Sequence, residues 1–240
     1  MPALMNTLAY AAFPAIAVVA GGFIASIRPP GPATRSAVQH LAAGVVFAAL
    51  ATELLPDVMH RRLPWATVTG FALGVLVMLA LKALSERMPK NDSAAGPFPA
   101  SLLLILGVDI ALDGVLVGIG FAAGEKQGLL LTIALTLEVL FLGVSGASAL
   151  SAAGVSKVKI VLTSLAFGGL LLAGAGAGAV LLNGLSGAAL DAVLSFGIAA
   201  LLYLVTEELL VEAHEIPETP WLAATFFVGF LVMLVIEMLL

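Results

Sequence analysis

The chain has 240 residues, of which 61% are hydrophobic and 10% charged, with a mean hydropathy of +1.15. Soluble domains carry about 25% charged residues, so ten Lys/Arg and fifteen Asp/Glu cannot cover a globular surface. That composition excludes a water-soluble enzyme and a disordered tail, and the net charge of −5 excludes a broad basic face for nucleic acid or anionic lipid.

A helix crosses about 30 Å of hydrocarbon with about 20 residues. Eight such spans are expected, at 4–27, 36–59, 66–85, 100–122, 128–150, 158–182, 188–213 and 219–240. The linkers are short and rich in Pro, Gly and charge, so residues 1–240 form one all-α, multi-pass transmembrane domain. Span 1 has no basic segment before its apolar run and reads as a retained helix, not a cleaved signal. Span 2 opens near His40, an interfacial residue on this reading, and carries Glu53 and Asp57 in its last part. His60 follows in a solvated loop. Span 4 holds Asp109 and Asp113 at mid-depth, and span 5 holds Glu138. Span 6 has no acid, but its Gly-Ala repeat at 174–179 permits close helix approach. Span 7 carries Glu207, Glu208 and Glu212 in its second half, followed by His214. Glu237 lies near the end of span 8, where it can snorkel to the interface. Cysteine is absent, which excludes disulfides and thiolate metal sites.

Ionisable groups within a span are costly and usually functional. Asp109 and Asp113 are four residues apart and therefore share a helix face. Two ionised carboxylates stacked in hydrocarbon repel, so a proton or a cation is needed between them. No Lys or Arg within spans 4 or 5 is available as partner. Asp109, Asp113 and Glu138 are thus the expected metal ligands. Gly114 and Gly143 follow these acids and allow a neighbouring backbone or ligand to come close.

Lysines and arginines in short loops favour the cytoplasmic side. Their distribution favours both termini outside, and the short loops without a targeting region lead to the expectation of a bacterial inner (plasma) membrane. Two echoes then become informative. Asp109-Ile110-Ala111-Leu112-Asp113-Gly114-Val115 parallels Glu138-Val139-Leu140-Phe141-Leu142-Gly143-Val144, and Glu53-Leu54-Leu55-Pro56-Asp57 parallels Glu208-Leu209-Leu210-Val211-Glu212. Spans 2 and 7 run in opposite directions, as do spans 4 and 5. This is the pattern of an inverted repeat around a midplane site. Glu53 and Asp57 mark the outer mouth, and Glu207, Glu208, Glu212 and His214 the inner one.

At these residues the chain resembles the Zrt/Irt-like (ZIP) family of divalent metal transporters. His40 through Glu53-Leu54-Leu55-Pro56-Asp57 is similar to that family's second helix, with Glu53 in place of His and Asp57 in place of Glu. Asp109 to Gly114 resembles its His-Asn-Phe-x-Asp-Gly helix, with Asp109 for His and Ile110 for Asn. Leu202 to His214 is similar to the seventh helix of bacterial members. The resemblance implies an eight-helix bundle with the N-terminus outside, and a substrate metal at the centre. The chain departs from the family in span 5, where Glu138 stands for the first His, Leu142 for a later acid, and no Pro is present.

The central donors are all oxygens, which suit harder ions such as Mn²⁺, although zinc also accepts carboxylates. The expected function is transport of a divalent cation (Zn, Mn, Fe or Cd) toward the cytoplasm, with a homodimer among the possible assemblies. The alternative is a ZIP-like scaffold that binds or senses a cation or proton without transporting it. An intramembrane aspartyl protease needs its two aspartates on different helices facing one peptide bond. Here both lie on one helix, so no enzymatic role is expected.

Overall fold

The computed structural model describes residues 2–87, 100–217 and 219–240. Eight helices are long and apolar enough to cross a bilayer. They are α1 (Pro2–Ile27), α2 (Pro32–Arg61), α3 (Pro64–Arg87), α4 (Ala100–Ala123), α5 (Glu125–Ala152), α6 (Lys157–Leu181), α7 (Gly187–Ala213) and α8 (Pro220–Leu239). No strand occurs among the described residues. The expected spans all appear, several of them longer than expected. Proline opens α2, α3 and α8, where a missing N–H costs nothing and the fixed φ suits the first turn. Arg62 ends α2 in the left-handed region at φ 55°, and Pro64 then starts α3. Most of the expected linker between spans 3 and 4, including Lys90, lies outside the described residues.

Lipid offers helices no hydrophobic reason to associate, so close packing must hold the bundle together. The helices separate by burial. Only 17% of the apolar window of α3, and the same share of α8, is buried, against 61% for α2 and for α7. Trp65 and Trp221, one residue inside α3 and α8, are exposed on this periphery. The inner group is α2, α4, α5 and α7. Helix α1 packs on α5 and α6, α4 on α6 and α5, α2 on α8, and α3 on α7.

Glycine sets two of these contacts beside the central acids. A Cβ on Gly143 would collide with the Val18 carbonyl oxygen of α1, and a Cβ on Gly114 with the Leu171 carbonyl oxygen of α6. The glycines that follow the central acids therefore admit a neighbouring backbone. They hold α4 and α5 each against an outer helix.

Helices α2 and α7 each contain a π-helical turn, at Leu50–Leu54 and Leu204–Leu209. A π turn inserts a residue and rotates the side chains that follow, and it concentrates at functional sites. In both, a threonine hydroxyl bonds back one turn: Thr52 to Ala48 O and Thr206 to Leu202 O, each at 2.8 Å. Each threonine directly precedes a glutamate, Glu53 or Glu207.

Candidate metal centre

Asp109 and Asp113 project from one face of α4, and Glu138 comes from the middle of α5. Their nearest carboxylate oxygens all lie within 4.8 Å of one another. Glu138 is fully buried and Asp113 is 2% exposed. Both oxygens of Glu138 and Oδ2 of Asp113 are buried without a hydrogen-bond partner. Buried carboxylates in native proteins are ordinarily satisfied by donors or paired with cations. Asp113 and Glu138 with open lone pairs, joined by the half-buried Asp109, form a hard, anionic, oxygen-only cluster, which is cation-binding chemistry. The fit is direct: each residue offers one ligand atom, and no basic side chain is ion-paired with any of the three among the described residues.

A cavity of about 280 Å³ reaches Asp109 and Glu138. Its walls are α3, α4, α5 and the second half of α7, which contributes Tyr203, Glu207, Glu208 and Glu212. Asp113 does not line it. The cavity follows the ends of α3 and α7, away from the side where α1 begins. Lys82 stands in its wall and pairs with Glu207 at 2.9 Å. Both side chains are nearly half exposed, so this pair contributes little to stability.

The other acids divide as follows. Glu53, at the π turn of α2, is buried and lies 3.7 Å from Lys126 Nζ of α5. Glu237 also faces Glu53. Its Oε2 is buried without a partner, so it does not project freely to the interface. Asp57 is tied to Arg61 one turn on, at 3.0 Å and at the surface. Glu212 accepts a hydrogen bond from Gln39 Nε2 at 2.5 Å, linking α7 to α2. His214 stacks edge-on against His40, with ring centroids 5.1 Å apart. His40 is buried between α2 and α7. Its Nδ1 donates to Ser36 O at 2.9 Å, which leaves a buried Nε2 without a partner.

The three expected ligands are thus together, and Glu207, Glu208 and Glu212 line the approach to them. Glu53 and Asp57 belong to neither group. Lys82, Lys126, Gln39 and His40 were not expected near these acids. One signal was available in the sequence. Pro64-Trp65 and Gly74-x-x-Val77-Met78-Leu79-x-x-Lys82 in α3 match Pro220-Trp221 and Gly229-x-x-Val232-Met233-Leu234-x-x-Glu237 in α8. That match places Lys82 beside Glu207 where Glu237 stands beside Glu53.

No protein-family model matches the chain, and no curated protein matches it.

Proposed function

We propose that this protein moves a divalent metal cation across the membrane through the Asp109–Asp113–Glu138 cluster, on a scaffold resembling the ZIP transporters. One observation carries the reading: the buried carboxylates of Asp113 and Glu138, with unsatisfied oxygens, converge with Asp109, and Asp109 and Glu138 line a cavity among α3, α4, α5 and α7. One divalent ion on three carboxylates leaves a charge of about −1, which one proton neutralises. Binding therefore competes with protons and weakens as pH falls.

With the termini outside, the cavity opens to the cytoplasm through Glu208 and Glu212, with His214 beyond them. The Glu53–Lys126 pair closes the outer side. This is an inward-facing arrangement, and transport requires its mirror image. An inverted repeat supplies one. Exchange α1 with α6, α2 with α7, α3 with α8 and α4 with α5, and every principal packing pair falls on another: α1–α5 on α6–α4, and α2–α8 on α7–α3. The π turns exchange as well, as do Gly143 and Gly114 against their partner helices. In such repeats one half rocks against the other around a fixed site. The threonine–glutamate pairs align Glu53 with Glu207. The longer π turn of α7 leaves Glu208 as an added acid facing the cavity. Manganese suits the oxygen cage, and the His40–His214 pair near the exit suits zinc or iron; Mn, Zn, Fe and Cd are the substrates to assay.

A second reading has one observation behind it. Leu142 stands in α5 where the echo of Asp113 calls for an acid, so the cage has three carboxylates and not four. A scaffold that holds an ion without releasing it would need no more. Uptake into proteoliposomes separates the two. The wild type is expected to carry at least one of Mn²⁺, Zn²⁺, Fe²⁺ or Cd²⁺ faster than empty vesicles, and Asp113→Ala to fall to the empty-vesicle rate. Wild-type flux equal to that of empty vesicles for all four ions would remove the transport reading.

A further inference from the structure

We propose a second cation site, between α3 and α7, built from Asp191, Ser195 and Thr67 and suited to a monovalent alkali ion. It shares no residue with the carboxylate cage and does not rest on the transport reading. Asp191 and Ser195 are four residues apart on α7 and therefore share a face. Asp191 is fully buried and Ser195 is 1% exposed. Asp191 Oδ2 accepts a hydrogen bond from Thr67 Oγ1 of α3 at 2.9 Å. That hydroxyl is also 3.1 Å from Leu63 O, so its single proton is shared between two acceptors. Asp191 Oδ1 and Ser195 Oγ are both buried with no partner. No ion pair among the described residues includes Asp191.

A carboxylate with half a hydrogen bond is an unstable arrangement in an apolar interior. A proton on Oδ2 could donate to Thr67 Oγ1 and free that hydroxyl for Leu63 O, but it leaves Asp191 Oδ1 and Ser195 Oγ as they are, buried without partners. A cation resolves both defects together. It takes Asp191 Oδ1 and Ser195 Oγ, and a lone pair of Thr67 Oγ1, whose proton stays with Asp191 Oδ2 and Leu63 O. All three donors are hard oxygens, which suit hard cations. Charge decides the valence. One carboxylate cancels one positive charge, whereas a divalent ion would leave an uncompensated charge among apolar helices.

The location gives the site a mechanical consequence. A Cβ on Gly70 would collide with the Ala192 carbonyl oxygen, so the backbones of α3 and α7 already touch beside Asp191. An ion held by Thr67 and Asp191 fastens the same two helices. The Lys82–Glu207 pair joins them again at the cavity end. Helix α3 packs on α7 through Gly70 and Gly74, and an ion at Asp191 would add a polar tie to that contact.

Thermal unfolding of the purified full-length chain tests the site without any transport assay. Unfolding is followed by tryptophan fluorescence in NaCl, KCl or N-methyl-D-glucamine chloride at equal ionic strength. Sodium or potassium is expected to raise Tm over N-methyl-D-glucamine by a few degrees, and saturably. Asp191→Asn is expected to abolish the rise. Ser195→Ala should move half-saturation to roughly tenfold higher salt, the cost of one lost ligand interaction. Asp113→Asn, at the carboxylate cage, should keep the rise intact. No alkali-specific rise in the wild type would overturn the proposal, as would the same rise in both Asp191→Asn and Ser195→Ala. If Asp191→Asn does not fold, Ser195→Ala decides alone: unchanged half-saturation overturns the site.

Discussion

Two carboxylate groups in this bundle have similar sequences and opposite surroundings. Around Glu53, Lys126 and Glu237 close in, and the residue is buried. Around Glu207, Glu208 and Glu212, a cavity opens; the two lysines are equally exposed, at 44%, but Glu207 is 46% exposed where Glu53 is 7%. The comparison teaches that the motif does not set access. Thr52-Glu53-Leu54-Leu55, with a π turn, is buried where a lysine reaches across from α5. Thr206-Glu207-Glu208-Leu209-Leu210, one acid longer, borders a cavity where the lysine comes from the peripheral α3. The Glu53 region and the Glu207 region are, on this account, the same device in closed and open positions.

The strongest way to break the comparison is to remove the seal. Lys126→Ala leaves Glu53 buried and uncompensated, which favours opening of that end. The chain has no cysteine, so a Thr52→Cys reporter is a clean probe. Its labelling by a membrane-impermeant thiol reagent, applied from the side of the termini, should rise about tenfold in Lys126→Ala, equivalent to about 1.4 kcal/mol. No change in labelling would show that the pair does not close the mouth.

A second test enlarges a side chain where the two halves are anchored. Gly114→Val drives a side chain into the Leu171 carbonyl of α6, and Gly143→Val does the same at Val18 of α1. Overpacking of this kind costs about 1–3 kcal/mol or more. If α4 and α5 are equivalent members of a repeat, both variants should lower Tm by similar amounts. Loss in one and tolerance in the other would break the equivalence.

The smallest effect belongs to Asp57. Its i,i+4 pair with Arg61 is partly exposed, and such pairs contribute about 0.3–0.5 kcal/mol. Asp57→Asn should leave Tm and metal binding almost unchanged. A large loss of binding would move Asp57 from the surface to the pathway.

Much of this was legible in the sequence, for an identifiable reason. An acid inside an apolar run is conspicuous whatever the fold, so Asp109, Asp113 and Glu138 could be named before their helices were paired. The i,i+4 spacing already gave the shared face of the two aspartates, and the glycines after the acids foretold close backbones. Partners across helices were hidden. Lys82 and Lys126 stand at the ends of their apolar runs and read as interfacial charges, yet long stems carry their ammonium groups to Glu207 and Glu53. His40 and Asp191 lie near helix starts, where water is the default expectation, and only the packing of α2 and α7 against their neighbours buries them. The π turns leave no periodic signature, because one inserted residue does not disturb an apolar run. The α3–α8 match was there to be read, but its registers differ by one residue between the Pro-Trp and Val-Met-Leu segments.

The central claim is that Asp109, Asp113 and Glu138 bind a divalent cation as one unit. Calorimetric titration of the purified chain with Mn²⁺ and with Zn²⁺ tests it most directly, run on the wild type, Asp113→Asn and Glu138→Gln at neutral and acidic pH. The account predicts one saturable site for at least one of the two ions, weakened at the lower pH. Each substitution should weaken it by about 100-fold or more, since the removed charge is a direct ligand. Equal affinity in wild type and both variants, or no binding of either ion by the wild type, would contradict it.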